Sequence, residues 1–283
     1  MRNVDMSILK GKRTLLVIGA GNMGEAMLRS WVHTQSSKFS LLVLEPHPSD
    51  WLESMFEMGL VELNNKKNAN KIDICVFAVK PQTLEKALEE NRKRLSKETL
   101  VVSVVAGKDF NFLKSSLHTD QPIIRVMPNT PVSVSQGISA LVANKSTDSN
   151  HIEWVEELFV ALGKIVLLKN ENEIDAVTAI SGSGPAYVFN FIENLIEIAK
   201  ELGLSAEVSK TLAIQTVVGA GILSESSGLS PGRLRENVTS PAGTTQAALE
   251  VLMDEKFGWK PIIKTAVHAA HNRSKELAGT KKY

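Results

Sequence analysis

A glycine-rich turn near the start of the chain has the residue types and spacing of a phosphate-binding loop. It reads Gly-Ala-Gly-Asn-Met-Gly over residues 19–24 and directly follows the apolar run Thr14–Ile18. In such a loop the first glycine permits a tight turn, the second lets a pyrophosphate approach the backbone, and the third lets the next helix lie close to the strand. A merely structural turn is the alternative. The candidate dinucleotide-binding residues are Gly19, Ala20, Gly21, Asn22, Met23 and Gly24.

An acidic residue stands where a dinucleotide site needs one. Glu45 follows the apolar run Leu41–Leu44 and comes 21 residues after Gly24. A carboxylate at this strand end accepts hydrogen bonds from the adenosine ribose and repels a 2′-phosphate. Two unit charges about 4 Å apart interact by roughly 1–4 kcal/mol at effective dielectric constants of 80 to 20. We therefore expect NAD(P)H as the cofactor with a weak preference for NADH. The alternative is that Glu45 turns to solvent and either cofactor is used.

A lysine–proline turn follows the longest apolar run of the first half. The run begins at Ile72, and loops after parallel strands line the ligand crevice of such sheets. Lys80 can act as an acid or contact the phosphates of the cofactor. Alternatively, the backbone brackets the cofactor and Lys80 is solvated.

Two stretches rich in small residues begin helices in the second half. Residues 181–186 read Ser-Gly-Ser-Gly-Pro-Ala, and residues 238–245 read Val-Thr-Ser-Pro-Ala-Gly-Thr-Thr. Gly243, Thr244 and Thr245 can present backbone N–H groups at a helix N-terminus, where a substrate carboxylate binds without an arginine. The alternative is an elaborate helix cap.

The elements that must position these loops alternate in type over about 140 residues. Continuous Val, Ile and Leu runs are typical of strands buried on both faces of a parallel sheet. Strand–helix alternation indicates an α/β fold with a doubly wound, Rossmann-type sheet. The predicted strands are Thr14–Ile18, Leu41–Leu44, Ile72–Val79, Thr99–Val105, Ile123–Val126 and Ile138–Val142, and the predicted helices are Asn22–Trp31, Thr83–Arg94 and Asp109–Leu117.

The sequence becomes helical in character after about Asn170. We predict three segments: a flexible extension at residues 1–13, a dinucleotide-binding domain at 14–170 and an all-helical substrate and dimerisation domain at 171–283. The helix predicted from Pro185 is apolar almost all round, so it needs burial on more than one side. A second copy of the chain can supply that burial, and we predict a homodimer or higher homo-oligomer. A self-contained helical domain is the alternative.

Composition excludes several classes of protein. Lysine plus arginine total 32 against 31 acidic residues, so no field favours nucleic acid or an anionic membrane. Cys75 is the one cysteine, which rules out an intramolecular disulfide framework and a cysteine-based zinc site. The histidines form no convincing metal site. The chain has no apolar run long enough for a membrane span and no signal-peptide pattern at its start, so we expect a cytoplasmic protein.

Taken together, these motifs resemble those of the pyrroline-5-carboxylate reductases, which catalyse the last step of proline biosynthesis. The resemblance runs from about Thr14 to Leu277, and its motifs are residues 19–24, 78–81, 125–131, 181–187 and 238–249. It implies hydride transfer from NAD(P)H to C5 of 1-pyrroline-5-carboxylate, which gives L-proline. It also implies a nucleotide-binding N-terminal domain and a helical C-terminal domain that interlocks with that of a partner subunit.

The resemblance also implies roles for particular residues. Ser240, Gly243, Thr244 and Thr245 are expected to bind the substrate carboxylate. We expect Thr245 to form a hydrogen bond with the ring nitrogen, and water or solution to supply the proton. Asn65, Ala78, Val79, Lys80 and Pro81 fall where the family contacts the cofactor, and Glu171 and Glu236 fall where it has acidic residues near the substrate loop.

Two positions depart from the family pattern. Ala242 replaces the first of two glycines, so local strain is expected if its φ must be positive. Glu45 stands where relatives often have a small hydroxyl residue or another uncharged group. Two alternative functions stay open at this point. One is a β-hydroxyacid-type dehydrogenase, which uses a lysine on a helix of its second domain as the acid; here the lysines of the helical half, such as Lys200 and Lys210, lie outside the two small-residue motifs. The other is a non-catalytic nucleotide-binding protein.

Overall fold

The structure, a computed structural model, describes residues 12–65 and 71–279. Within these residues the chain forms two compact units. The first runs up to Gly182 and includes the residues from His271 onward, and the second is Ser183–Ala270. Residues 1–11 of the predicted extension lie outside the described residues, whereas Arg13 already belongs to the first strand. The predicted domain boundary near residue 170 stays a prediction.

An eight-stranded sheet is the centre of the first unit. All neighbouring strands pair in parallel except the sixth and seventh, which are antiparallel. The strands are β1 (Arg13–Ile18), β2 (Phe39–Leu44), β3 (Glu62–Leu63), β4 (Ile74–Phe77), β5 (Leu100–Ser103), β6 (Ile123–Met127), β7 (Gly137–Ala143) and β8 (Gly163–Leu167). Their order, β3-β2-β1-β4-β5-β6-β7-β8, reverses beside β1. The predicted Rossmann-type α/β fold is confirmed, and its ligand crevice lies where the order reverses.

Helices flank this sheet, and its core consists of two large apolar clusters and a small third one of Met127, Val142 and Ile174. The helices are α1 (Asn22–Thr34), α2 (Asp50–Glu57), α3 (Leu84–Asn91), α4 (Phe110–Ser116), α5 (Ser149–Val160) and α6 (Glu173–Val177). Leu15 and Val17 of β1 belong to one large cluster, while Leu16 and Ile18 belong to the other. This alternation follows from the two-residue period of a strand, so helices must cover both faces.

The regular secondary structure of the second unit is all helical within its described residues, as predicted. Its helices are α7 (Gly184–Glu201), α8 (Ala206–Ser226), α9 (Pro231–Asn237), α10 (Thr244–Leu252) and the first part of α11 (Trp259–Gly279), which ends in the first unit. Between Ser183 and Ala270 the structure buries only Ser209, Ala213 and Gly258. Large apolar side chains remain exposed instead, among them Phe189 at 58%, Val251 at 71% and Phe257 at 81%.

The described helices include no candidate for a membrane span. None of them combines the length and the apolar character that a bilayer span requires.

Cys75 lies in the middle of β4 and has no exposed surface. Burial raises the pKa of its thiol well above the ordinary value, and the positive charge of Arg94 lowers that pKa only in part. Since the thiolate is the reactive form, we expect the native protein to resist thiol reagents. After unfolding, one thiol per chain should react. Rapid labelling of the native protein would contradict this burial.

Candidate active site

The glycine-rich loop is held against the segment that follows β4. Gly19 has φ +93°, and a Cβ there would lie 2.8 Å from the carbonyl oxygen of Ala78 and from a methyl carbon of Val79. A Cβ on Gly24 would lie 2.3 Å from the carbonyl oxygen of Gly19. Both glycines are therefore required by close backbone approach, as the spacing predicts. Gly21 is different, because a Cβ there would meet nothing within 4 Å.

The open space at Gly21 lies at the N-terminus of α1, where Gly21 is the residue that precedes the first turn. The first N–H groups of a helix lack carbonyl partners within it and attract anions. An open backbone cradle at such a position fits the pyrophosphate of a dinucleotide. The residues present therefore suit the expected cofactor.

Glu45 turns its carboxylate toward this loop. One carboxylate oxygen accepts a hydrogen bond from the N–H of Ala20 at 2.7 Å, and the other accepts from the N–H of His47 at 3.0 Å. Two backbone donors thus fix the Glu45 carboxylate beside the glycine-rich loop. Sequence spacing predicted the carboxylate but not these two contacts.

Asn64 is a residue that the sequence analysis missed. Its side-chain oxygen accepts from the N–H of Glu45 at 2.9 Å, and its amide nitrogen donates to the Glu45 carbonyl at 2.8 Å. Asn64 has φ +50°, a conformation that asparagine tolerates better than most residues. An asparagine just after a short strand was the available signal.

The remaining cofactor candidates lie nearby in the chain but differ in their environments. The N–H of Ala78 donates to the carbonyl of Ile18 at 2.8 Å, which continues the pairing of β4 with β1. Lys80 is exposed and precedes a 3-10 turn at Pro81–Thr83. Asn65 contacts Glu62 with its side chain. The roles of these residues stay predictions.

The small-residue loop of the second unit is a tight turn that leads into α10. The N–H of Gly243 donates to the carbonyl of Ser240 at 3.1 Å, and Gly243 is the residue before the first helical turn. A Cβ on Gly243 would lie 2.5 Å from the hydroxyl oxygen of Ser240. The loop therefore packs the Ser240 hydroxyl directly against the start of the helix. Thr244 and Thr245 are the first two helical residues, so their N–H groups face outward from the N-terminus.

Ala242 adopts the conformation that the sequence analysis identified as strained. Its φ is +58°, where a side chain is disfavoured by roughly 1–2 kcal/mol. Glycine would occupy this conformation without that cost.

Glu171 and Glu236 lie in different units. One carboxylate oxygen of Glu171 bonds the Arg125 side chain and the N–H of Phe110, both at 2.7 Å, so it joins β6 to the start of α4. Glu236 is exposed and pairs with Arg233 at 3.1 Å. It also lines an open groove of about 370 Å³ between α9 and α10, together with Thr239 and other residues. Their predicted contact with substrate stays a prediction.

Two family models match one segment in each half of the chain. Residues 14–107 match the model described as NADP oxidoreductase coenzyme F420-dependent, and residues 171–277 match the one described as Pyrroline-5-carboxylate reductase dimerisation. Together with the glycine loop, these matches define a Rossmann-type oxidoreductase that uses a nicotinamide cofactor.

Relatives identify the family. The chain is 37% identical over 264 residues to a pyrroline-5-carboxylate reductase of Synechocystis, covering 92% of this chain and 97% of the relative. It is 38% identical over 263 residues to that of Arabidopsis thaliana, covering 92% and 94%. The chain therefore belongs to the pyrroline-5-carboxylate reductase family and is an NAD(P)H-dependent oxidoreductase of that family.

Solved structures agree with this assignment. The pyrroline-5-carboxylate reductase of Coxiella burnetii matches with a TM-score of 0.84 and 33% identity over 94% of this chain and 98% of that one. A Plasmodium falciparum pyrroline carboxylate reductase with NADP bound matches with a TM-score of 0.82 and 30% identity over 95% and 99%. These relatives do not favour the β-hydroxyacid-type alternative.

Proposed function

We propose that the protein reduces the C=N bond of 1-pyrroline-5-carboxylate with NAD(P)H to give L-proline. The observation that carries the proposal is the loop at residues 240–245, which presents hydroxyl and N–H groups at the N-terminus of α10. The same chain has a dinucleotide loop of the required geometry. This is the reaction for which the relatives are named.

The substrate carboxylate is received at the helix N-terminus. In our proposal the N–H groups of Thr244 and Thr245 and the hydroxyl of Ser240 form the anion site, with the positive end of the helix dipole behind it. The N–H of Gly243 is already donated to the carbonyl of Ser240, so Gly243 contributes the turn that shapes the site. A carboxylate can be held there without a cationic side chain, because several dipoles converge on it. Glu171 and Glu236 remain candidates for the surroundings of this site.

Thr245 bonds the ring nitrogen of the imine in this proposal. When bound, the reduced nicotinamide supplies a hydride to C5, and the nitrogen takes a proton from water or solution. Thr245 lies in the first turn of α10, so its hydroxyl position is fixed by the same turn that holds the carboxylate. One element then orients both ends of the substrate, which is the kind of positioning that accelerates a reaction between two bound groups.

NADH is the proposed preferred cofactor. The carboxylate of Glu45 is held by the N–H groups of Ala20 and His47, so it has little freedom to move away from a 2′-phosphate. Its repulsion of that phosphate supports discrimination against NADPH. The relative from Plasmodium falciparum has NADP in its structure, so the preference concerns this chain alone.

Glu45→Ser should raise kcat/KM with NADPH about tenfold relative to NADH, since the substitution removes a repulsion worth roughly 1–4 kcal/mol. Steady-state kinetics with both cofactors measure this ratio. Glu57→Ser, at an exposed site on α2, is the matched control and should leave the ratio unchanged. A wild-type enzyme that clearly prefers NADPH would refute the proposed preference.

Self-association through the helical unit is also proposed. Phe189, Val251 and Phe257 are large and exposed, and the second unit has few buried residues of its own. A second copy of the chain would remove this apolar surface from water. Light scattering should give at least twice the 30.9 kDa chain mass. A monomer at micromolar concentration would disprove this assembly.

The cytoplasmic location stays a prediction from the sequence.

The activity itself is tested by following NADH and NADPH oxidation in the presence of 1-pyrroline-5-carboxylate. We expect turnover with formation of proline. Cofactor binding without turnover would instead support the non-catalytic alternative. Turnover of 3-hydroxy acids but not of the imine would support the dehydrogenase alternative.

A further inference from the structure

Gln246, the third residue of α10, reaches back over the start of its own helix. Its side-chain oxygen accepts a hydrogen bond from the N–H of Ala242 at 2.8 Å. Its amide nitrogen donates to a carboxylate oxygen of Glu250 at 3.2 Å, one turn further along. An ionised carboxylate accepts hydrogen bonds but cannot donate them. Glu250 therefore orients the Gln246 side chain with its nitrogen toward Glu250 and its oxygen toward Ala242.

The bond to Ala242 falls at the strained point of the loop. Ala242 has φ +58°, and its methyl group favours other backbone conformations. The residue at the helix cap position, Gly243, has no side chain that could hold the turn. In a capping box the glutamine at the third helical position holds the turn by binding the N–H of the cap residue, and Gln246 makes the corresponding bond one residue earlier, to Ala242. Here Gln246 is the side chain in the position to do so.

We infer that Gln246 is a positioning residue for the substrate loop. It holds Ala242 in the left-handed conformation and so keeps the Ser240 hydroxyl against the N-terminus of α10. This inference rests on the proposed carboxylate site. Without the bond, Ala242 relaxes toward negative φ, and the peptide that leads into Gly243 turns with it.

Gln246 is also suited to this place by its charge. A neutral amide can accept from the Ala242 N–H while adding no negative charge beside a bound carboxylate. A glutamate would make the same bond but would repel both the substrate and Glu250. Position 246 therefore requires a side chain that is as long as glutamine, accepts a hydrogen bond and carries no charge.

The test is a double-mutant cycle measured by kinetics. Gln246→Leu keeps the size of the side chain and removes the acceptor. We expect the KM for 1-pyrroline-5-carboxylate to rise about fivefold or more, which corresponds to the loss of one hydrogen bond. The KM for NADH should stay unchanged. Gln246→Glu should raise the substrate KM as well, whereas Glu250→Gln, which keeps an acceptor, should have a small effect.

Ala242→Gly separates positioning from a general loss of structure. Glycine adopts φ +58° without strain, so Gln246→Leu should raise the substrate KM much less in the Ala242→Gly background than in the wild type. A Gln246→Leu protein with unchanged substrate KM, or an equal loss in both backgrounds, would overturn the inference. A wild-type protein that does not reduce the imine would instead refute the proposed function itself.

Discussion

Replacing Gly21 with alanine is expected to weaken NADH binding by about tenfold or more while leaving the thermal stability of the free protein unchanged. A Cβ at this position meets nothing within 4 Å, and the backbone φ of −68° suits any residue. The space is free only until a pyrophosphate enters it. The loss of one or two charge-assisted hydrogen bonds, at about 1.5–3 kcal/mol each, accounts for the expected change in affinity.

Gly24→Ala provides the contrast. A Cβ there would lie 2.3 Å from the carbonyl oxygen of Gly19, which is backbone and cannot move aside. Helix α1 must shift away from β1, so both stability and cofactor binding should fall, with overpacking costing about 1–3 kcal/mol. Thermal melts and fluorescence titration with NADH distinguish the two variants. Tight NADH binding by Gly21→Ala would show that the loop does not carry the cofactor.

Replacing Thr245 with valine is expected to lower kcat on the order of 10²-fold with little change in the KM for NADH. Valine keeps the shape of the side chain but removes the hydroxyl that we place on the ring nitrogen. Removal of one hydrogen-bond donor aimed at the reacting group has an effect of this order in other enzymes. The dinucleotide loop is in the other unit of the chain, so its affinity for cofactor should be retained.

Thr245→Ser is the matched control for this variant. Serine retains the hydroxyl and can still begin a helix, so its kcat should lie much closer to that of the wild type. The kcat values of the wild type, Thr245→Val and Thr245→Ser are compared from initial rates at saturating NADH. If valine supports the same turnover as threonine, Thr245 has no role in the reaction.

The first half of the fold could be predicted because its strands are continuous apolar runs. β1 and β4 were found within two residues at each end, and the glycine spacing located α1. The predicted parallel sheet is interrupted at β7, which is antiparallel to β6. The short connection between them, residues 128–136, is not long enough for the helical crossover that a parallel pair needs.

Other elements were missed for physical reasons. β3 has two residues, which is too short for any period to be visible, and β8 is an edge strand with mostly exposed residues. Helices α2 and α5 carry short apolar stripes at helical spacing, Leu52 and Met55 in α2 and Val155, Leu158 and Phe159 in α5, and begin at the caps Ser49 and Asp148, so the signals that could have located them were present. For the short helix α9, the signal available in the sequence was the Ser230–Pro231 pair at its start.

The types of residue at the candidate site could be predicted from the sequence, but the contacts that these residues make could not. Spacing alone located Glu45, whereas its bonds to Ala20 and His47 depend on where β2 ends relative to the glycine loop. The sign of φ at Ala242 was also beyond the sequence, because alanine itself favours negative values. Asn64 and Gln246 act on backbone groups of neighbours, and no periodic pattern marks such a contact.

The carboxylate site at residues 240–245 is tested most directly by comparing two imines. NADH oxidation should be measured with 1-pyrroline-5-carboxylate and with 1-pyrroline, which has the same ring but no carboxylate. If the N-terminus of α10 receives the carboxylate, kcat/KM should fall on the order of 10²-fold without it, since two charge-assisted hydrogen bonds are lost. Equal efficiency with both imines would mean that this loop does not bind the substrate.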